Sequence, residues 1–291
     1  MNYSYYPGCS LHSTGLEFEH STQAVFRHLG LELTELEGWN CCGASSAHAL
    51  SHTLALALPA RNLALAQNAG LDLIMPCAAC YNRMKTTDYV LRNDRSRRAE
   101  IEEIVGFQFN GKIAVRPLLG VIYEDYGPVR IASAVKRPLN GLKVVPYYGC
   151  LLVRPPEIAQ FDNPDNPMVM TEVLSAAGAQ VMSWSHATDC CGAGLSLSRF
   201  DLVEGMVTKL ADRAREAGAD AMVTGCPLCQ VNLEMRQTSS PKLPAFYFTE
   251  LLGLAFDLPE AQKWWSKHLI DPRPILQTAG LLDALNSSSK Q

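Results

Sequence analysis

The ten cysteines of this 291-residue chain fall into two sets of five with closely similar spacing. Each set has a lone cysteine, a Cys-Cys-Gly triplet and a Cys-x-x-Cys pair, and 34 residues separate the triplet's second cysteine from the pair in both sets. The first set is Cys9, Cys41, Cys42, Cys77 and Cys80, and the second is Cys150, Cys190, Cys191, Cys226 and Cys229. A repeat with a period of about 145 residues indicates an internal duplication. We therefore predict two domains, at residues 1–140 and 141–291.

The residues around the cysteines repeat as well. Residues 5–9 resemble residues 147–150, since both segments carry tyrosine and glycine directly before the lone cysteine. Residues 69–72 read Ala-Gly-Leu-Asp and residues 217–220 read Ala-Gly-Ala-Asp, each just upstream of its Cys-x-x-Cys pair. The duplication therefore extends beyond the metal-binding residue type to the surrounding chain.

Both halves show strands that alternate with helices. Alternation of this kind predicts a parallel sheet, so the expected fold class is α/β, with two pseudo-symmetric α/β domains. The predicted strands are 32–36, 71–75, 144–147, 180–184 and 221–224, and the predicted helices are 16–29, 59–69, 168–177 and 200–217. Because several cysteines follow strands, we expect the sites that they form to lie at the carboxyl edges of the sheets, where such folds bind ligands.

Three further segments are expected to lack regular structure. Residues 92–103 are rich in charge, and residues 136–141 contain proline and glycine, so both are predicted linkers. Residues 287–291 are expected to form a frayed tail.

Composition narrows the classes of partner and compartment. The chain is 47% hydrophobic and 19% charged with a net charge of −4, which gives no reason to expect nucleic acid or an anionic membrane as a partner. No apolar stretch approaches the roughly 20 residues of a spanning helix, and the first residues have no signal-peptide pattern. We therefore expect a cytoplasmic protein without a transmembrane segment, attached to a membrane, if at all, only through its complex. In that compartment cysteines bind metals or perform redox chemistry.

Thiolates select iron–sulfur clusters, zinc or copper(I). A Cys-x-x-Cys pair at the start of a helix suits such ligands, because free N–H groups and the helix dipole favour the thiolate. Three other interpretations stay open: structural zinc in one or both halves, a disulfide framework, and a thioredoxin-like dithiol beside unrelated cysteines. Zinc fits less well, because a tetrahedral ion needs four ligands and each set offers five.

The full pattern resembles a known family. Cys-x(31)-Cys-Cys-Gly-x(33)-Cys-x-x-Cys, followed by the same motif with 39 residues in its first gap, is similar to the duplicated cysteine-rich (CCG) domain found in the B subunit of heterodisulfide reductases. The resemblance implies that each half holds a non-cubane [4Fe–4S] cluster on its five cysteines. It further implies that the two clusters face each other and cleave a bound disulfide. The Cys-Cys-Gly form of the first motif looks more like the bacterial branches of the family.

The resemblance also implies a setting for this chemistry. The chain would be the disulfide-reducing or disulfide-forming subunit of a heterodisulfide-reductase-like complex. All ten cysteines belong to the two sets, and no dinucleotide fingerprint is present, so electrons must arrive through other subunits. The expected partners are a ferredoxin-like iron–sulfur subunit and a flavoprotein, with a disulfide or thiol as substrate. The alternative is an electron-relay subunit of a membrane-associated succinate dehydrogenase or similar complex, which passes electrons to quinone.

Two histidines are candidate catalytic residues. His12 lies three residues after Cys9, and His186 lies four before Cys190. Either imidazole could donate a proton to a leaving thiolate. The alternative for both is a hydrogen bond that supports a cluster sulfur, or a plain surface position.

Two features near the C-terminus receive structural interpretations. Trp264 and Trp265 are expected to pack within the C-terminal region rather than anchor the chain at a membrane. Lys267 and His268 are expected to be structural or interfacial.

Overall fold

The computed structural model describes residues 1–44 and 46–282, so the expected tail at 287–291 lies outside the described residues. Eight strands form in chain order, four in each half. They are β1 (Asn2–Tyr5), β2 (Glu32–Glu35), β3 (Leu73–Met75), β4 (Val115–Pro117), β5 (Lys143–Tyr147), β6 (Gln180–Val181), β7 (Ala221–Thr224) and β8 (Ala245–Tyr247).

The strands build two parallel sheets with the same topology. The first has the order β2-β1-β3-β4 and the second the order β6-β5-β7-β8, and every pairing is parallel. The central strands β3 and β7 are buried throughout, as expected when helices cover both faces of a parallel sheet. The α/β class and the duplication are thus confirmed, while the exact domain boundary at residue 140 stays a prediction.

Fifteen α-helices of the described residues surround the sheets, and a π-helical turn at Ile122–Tyr126 follows the seventh. They are α1 (Gly8–Leu11), α2 (Leu16–His28), α3 (Ala47–Leu50), α4 (His52–Ala69), α5 (Ala78–Asn93), α6 (Arg95–Val105), α7 (Leu118–Val121), α8 (Pro128–Ala134), α9 (Pro156–Ala159), α10 (Val169–Ala176), α11 (Phe200–Glu216), α12 (Pro227–Met235), α13 (Phe248–Ala255), α14 (Ala261–Trp264) and α15 (Arg273–Thr278).

The predicted linker at residues 92–103 is wrong. This segment completes α5 and forms most of α6, whose first turn is capped by the Asp94 carboxylate, an acceptor 3.0 Å from the Arg97 amide. Ion pairs between residues three and four apart, such as Arg98 with Glu102, follow along the helix. The charge density that indicated a loop therefore stabilises an exposed helix.

Helix α4 also begins seven residues earlier than predicted. Pro59, the predicted first residue of this helix, lies inside α4. The start is fixed instead by Ser51, whose hydroxyl accepts a hydrogen bond from the Leu54 amide at 3.3 Å. Residues 136–141 lie outside helices and strands, as predicted.

The two halves pack against each other through α2 of the first and α13 of the second. Phe18 stacks on Tyr247 with ring centroids 4.1 Å apart. Three residues further along α2, the Ser21 hydroxyl bonds the Thr249 hydroxyl at 2.6 Å in a buried contact. Apolar stacking beside a satisfied buried polar pair fixes the relative position of the two helices.

A buried charge cluster holds the C-terminal segment on the second half. His268 Nδ1 lies 2.9 Å from Glu234 Oε1 and its Nε2 lies 3.0 Å from Glu250 Oε1, and all three side chains are inaccessible to solvent. Trp264 and Trp265 are buried nearby, in agreement with the packing role predicted for them. Burial alone would lower the pKa of His268, but the charge of Glu250 and the hydrogen bonds to both carboxylates raise it to about 11.

No helix in residues 1–44 and 46–282 is both long enough and apolar enough to cross a membrane.

The charge cluster predicts how stability depends on pH. The pKa of His268 is higher in the folded protein than its unfolded value of about 6.5, so folding takes up a proton between these two values. The stability that His268 contributes is therefore complete below about pH 6.5 and is lost as the pH rises toward 11. We expect the His268 contribution to fall by up to about 1.4 kcal/mol per pH unit in this window.

The measurement is anaerobic urea denaturation of the wild type and of His268→Gln between pH 6 and 10. The variant should be less stable at pH 7 by about 3 kcal/mol, because it leaves two buried carboxylates without a cation. The stability of His268→Gln should also not decline as the pH rises, whereas the exposed control His48→Gln should show the same pH dependence of stability as the wild type. Parallel profiles for the wild type and His268→Gln would contradict the assigned protonation.

Candidate metal centres

The cysteines lie after the carboxyl ends of the parallel strands. Cys9 follows β1, Cys77 follows β3, Cys150 follows β5 and Cys226 follows β7. Because β1 pairs with β3 and β5 with β7, the lone cysteine and the Cys-x-x-Cys pair of each set meet at one sheet edge. This is the edge at which α/β proteins place ligands.

Within each half, sulfur atoms from distant parts of the sequence come into contact. The Sγ atoms of Cys42 and Cys80 are 3.2 Å apart, and those of Cys191 and Cys229 are 3.6 Å apart. The second cysteine of each vicinal pair thus contacts the second cysteine of its Cys-x-x-Cys pair. The same pairing in both halves follows from the shared 34-residue spacing.

The glycine of each Cys-Cys-Gly triplet turns the chain back over the preceding sulfur. Gly43 and Gly192 both have a φ of 75°, which favours glycine. This turn brings the Gly43 amide to 3.4 Å from Cys41 Sγ and the Gly192 amide to 3.3 Å from Cys190 Sγ. The backbone therefore offers a hydrogen bond to the first sulfur of each vicinal pair.

The glycine before each lone cysteine leaves room for a sulfur. A Cβ atom at Gly8 would lie 3.3 Å from Cys80 Sγ, and one at Gly149 would lie 3.2 Å from Cys229 Sγ. Both glycines also have positive φ, of 70° and 65°. A side chain at either position would be strained and would crowd the sulfur atoms.

The two Cys-x-x-Cys pairs lie at helix N-termini and meet between the halves. Cys77 caps α5 and Cys226 caps α12, both in extended conformation. The two sets influence each other across the halves, because the Cys226 thiol raises the pKa of Cys77, whereas the thiols of Cys229 and Cys77 lower the pKa of Cys226. The two cysteine sets are therefore neighbours.

Hydrogen bonds between neighbouring thiols shift the pKa values of the cysteines. Hydrogen bonds from the Cys41 and Cys80 thiols outweigh burial and lower the pKa of Cys42 to about 3. In the second half, a hydrogen bond from the Cys150 thiol is the main factor that lowers the pKa of Cys190 to about 6. The contact with Cys42 in turn raises the pKa of Cys80. Five thiols this close cannot all ionise without a cation among them, and a bound metal core would supply that charge.

The donor set fits a polynuclear sulfur-ligated core better than a single ion. Each set offers five sulfurs, one more than the four ligands of tetrahedral zinc. Five soft donors, backbone amides directed at sulfur and glycines that admit the sulfur atoms are the features expected around an iron–sulfur core.

His12 lies on an exposed aromatic wall of the first site. Its ring contacts Trp39 edge-on at 5.4 Å, and Trp39 contacts Tyr6 in the same manner at 5.3 Å. Tyr6 borders the sulfurs, since burial and then the charges of Cys80 and Cys42 raise its pKa. Nε2 of His12 is 3.5 Å from Glu35 Oε1, so an acidic partner orients the imidazole.

His186 has a similar position beside the second site. Its Nδ1 lies 2.8 Å from the Asp189 carboxylate, one residue before Cys190. Its ring contacts Trp184 at 6.0 Å, and Trp184 lies 6.3 Å from Tyr147, which borders the second set. The two histidines thus have matching surroundings although they occupy different places in the repeat.

Two asparagines that hold the vicinal pairs in place were missed from the sequence. The Asn62 side chain accepts from the Asn40 amide and donates to the Asn40 carbonyl, both at 2.9 Å, directly before Cys41. The Asn232 side chain donates to the Cys191 carbonyl and accepts from the Ser196 hydroxyl. Both asparagines are buried within helices, where an amide needs hydrogen-bond partners, and an asparagine among the apolar residues of a helix is the sequence signal that could have revealed them.

The cysteines of each set differ in their exposure to solvent. Cys9, Cys41 and Cys190 are exposed, and Cys150 is partly exposed. The remaining cysteines are buried at the sheet edges: Cys42, Cys77, Cys80, Cys191, Cys226 and Cys229. Each site therefore has one wall open to solvent and one closed by protein.

Comparisons with known proteins agree with this arrangement. A family model described as a cysteine-rich domain, CCG, matches residues 3–85 and 144–234. The chain is 30% identical over 279 residues to the 8-methylmenaquinol:fumarate reductase membrane anchor subunit of Wolinella succinogenes, covering 92% of this chain and 97% of that protein. It is 28% identical over 266 residues to the B subunit of a ferredoxin/F420H2-dependent CoB-CoM heterodisulfide reductase of Methanosarcina acetivorans, covering 87% and 88%.

A solved structure shows the same fold. The crystal structure of a hypothetical protein from Helicobacter pylori matches with a TM-score of 0.73 at 13% identity, over 93% of this chain and 52% of that one. With both halves matched by the family model and the sheets, sulfur contacts and glycine turns repeated in each, the chain belongs to the CCG cysteine-rich domain family, with the domain present twice.

Proposed function

We propose that this protein is the disulfide-handling subunit of a heterodisulfide-reductase-like complex and that it reduces or forms a disulfide-type bond. Two non-cubane [4Fe–4S] clusters would be held by the two cysteine sets defined above. The proximity of the two sets carries the proposal: Asn82, on the helix that begins after Cys77, donates hydrogen bonds to the carbonyls of Leu151 and Arg154, just after Cys150 of the other set. A single disulfide could then have one sulfur beside each set.

Reduction of a disulfide to two thiols consumes two electrons and two protons. The bound clusters would supply the electrons, one from each site. The protein's own residues would have three tasks: thiolates would hold the metal cores, the backbone amides of Gly43 and Gly192 would compensate sulfur charge, and the open walls would admit substrate. No cysteine is left over in the chain to attack the substrate as a free thiol.

His12 and His186 are the proposed proton donors. Each has an acidic partner, Glu35 or Asp189, that orients the ring, and each lies close in sequence to a cysteine of its site. An oriented imidazole can protonate a leaving thiolate and recover its proton from solvent. The exposed position of His12 and the partly exposed position of His186 provide that access.

The proposed partners are a ferredoxin-like iron–sulfur subunit and a flavoprotein. Both cysteine sets are complete, so no ligands remain for a further cluster that could accept electrons from a soluble carrier. One relative is named as the B subunit of a heterodisulfide reductase that depends on ferredoxin or F420H2, which supports assembly with other subunits.

A second candidate function is electron relay to or from quinone without a disulfide substrate. The relative from Wolinella succinogenes supports it, because that protein is named as a subunit of a menaquinol:fumarate reductase and matches 92% of this chain. In this alternative the two sites would pass electrons between subunits. The response to thiols and disulfides, described below, distinguishes the two functions.

Metal content is the first test. Anaerobically purified protein should contain iron and acid-labile sulfide, and Cys226→Ala/Cys229→Ala should lose about half of both, because only the second site is removed. The matched variant Cys77→Ala/Cys80→Ala should lose the other half. Zinc without sulfide in the intact chain would contradict the proposal.

The second test separates disulfide chemistry from its rivals. The reduced protein is mixed with a thiol or disulfide and with an alkylating agent, and is followed by electron paramagnetic resonance and mass spectrometry. We expect a change in the paramagnetic signal and no rapidly alkylated cysteine, since every cysteine is a ligand. One cysteine that alkylates quickly and stops turnover would indicate a dithiol mechanism, and no response of either kind would favour electron relay.

The third test concerns the histidines. A general acid contributes on the order of 10²–10⁴ in rate, so His12→Gln and His186→Gln should each lower kcat for disulfide reduction by about 100-fold or more. Iron content should stay at the wild-type level, because neither residue is a proposed ligand. The exposed control His48→Gln should retain activity, and full activity in both test variants would rule out this assignment.

A further inference from the structure

A second concave site lies on the side of α2 that faces α14. It is a cavity of about 280 Å³ between helices of the two halves. None of the ten cysteines lines it, so it is separate from the metal centres. Arg27, Lys263 and Lys267 stand at its rim, and Glu17 and Trp264 form part of its buried wall.

The cavity carries an excess of positive charge. Of its Lys, Arg, Asp and Glu side chains, three are cations, and Glu260 is the only exposed anion. No ion pair among the described residues involves Arg27, Lys263, Lys267 or Glu260. Cations that surround a concavity without protein partners attract an anion there.

A buried carboxyl forms part of the cavity wall. Glu17 is only 2% exposed, lines the cavity, and makes no side-chain hydrogen bond or ion pair with another of the described residues. Burial, and then the nearby charge of Glu250, raise the pKa of Glu17, while His268 acts in the opposite direction. This shift favours the neutral carboxyl, whose O–H suits an oxyanion rather than a cation.

We propose that this cavity binds a small doubly charged oxyanion of the dicarboxylate or phosphate class. The exposed charged side chains of the cavity, three cations and Glu260, have a net charge of two positive units, which a dianion neutralises. The volume equals that of on the order of nine water molecules, enough for a compact ligand of this kind. Trp264 supplies an apolar surface for the carbon skeleton of a dicarboxylate.

Because α2 belongs to the first half and α14 to the second, the bound anion would join the two halves. Arg27 lies on α2, whereas Lys263 is on α14 and Lys267 directly follows it. A ligand that binds only the folded arrangement stabilises it in proportion to its occupancy. Binding should therefore raise the melting temperature of the whole chain.

The test is isothermal titration calorimetry on the anaerobic, cluster-containing protein with succinate and with inorganic phosphate at matched ionic strength. We expect saturable binding of one anion per chain with at least one of the two, and their relative affinities identify the class. Lys263→Gln/Lys267→Gln should weaken binding at least tenfold and abolish the anion-induced rise in melting temperature. The control Lys242→Gln, an exposed lysine outside the cavity, should bind like the wild type.

Two variants of Glu17 examine the donor. Glu17→Gln keeps a neutral donor of the same size and should bind within about threefold of the wild type, whereas Glu17→Leu should lose binding to the extent seen for the lysine variant. Equal binding by the wild type and Lys263→Gln/Lys267→Gln, or no saturable heat with either anion, would overturn the proposal. Binding only to vesicles that contain anionic lipid, with none to the soluble anions, would also overturn it. These outcomes are independent of disulfide chemistry at the metal centres.

Discussion

The closeness of the two Cys-x-x-Cys segments is the constraint on which the arrangement of both sites depends. Cys77 and Cys226 each precede a helix, α5 and α12, whose free amides and dipole favour negative charge on sulfur. The two segments also influence each other, because the Cys226 thiol raises the pKa of Cys77, whereas the thiols of Cys229 and Cys77 lower the pKa of Cys226. The fold therefore brings stabilised sulfur anions of both halves close to one another.

The duplication is not electrostatically symmetric. Eight residues after Cys226, α12 carries Glu234, which is buried against His268 together with Glu250. The position eight residues after Cys77 is Lys85, which bonds the Gln160 side chain at 3.0 Å, and burial lowers its pKa. The two Cys-x-x-Cys helices thus have opposite charges at equivalent positions. The two sites have the same ligand pattern, and their sheets and sulfur contacts correspond, but they lie in different electrostatic environments.

Much of this architecture could be predicted from the sequence. The repeat predicts two domains of one topology, and the strand-then-cysteine order predicts sites at the carboxyl edges of parallel sheets. Predictions from local sequence features were wrong where one feature is compatible with two different structures. The charges of residues 92–103 suggested a loop but form capped helical ion pairs, and Pro59 suggested a helix start but lies inside α4.

Contacts between distant residues were beyond sequence reasoning. No local sequence pattern predicts that Asn62 holds the loop before Cys41, or that His268 forms ion pairs with Glu234 and Glu250. Such contacts depend on how elements separated by tens of residues are packed. The similar surroundings of His12 and His186 could not be predicted for the same reason. In the sequence, His12 follows its nearest cysteine, whereas His186 precedes its nearest cysteine.

The hydrogen bonds and close contacts between the two halves explain why one chain carries both sites. On one side, the Tyr81 hydroxyl donates to the Ala159 carbonyl, and the Asn82 amide donates to the Leu151 and Arg154 carbonyls at 3.2 and 2.9 Å. These bonds join the first Cys-x-x-Cys helix to the loop after Cys150. On the other side, a Cβ atom at Gly15 would lie only 3.2 Å from Pro227, at the start of the second such helix. Each half thus supports the segment that positions a cysteine of the other. A half isolated from its partner would lose these hydrogen bonds and expose the carbonyls, so each half depends on the other for the support of its site.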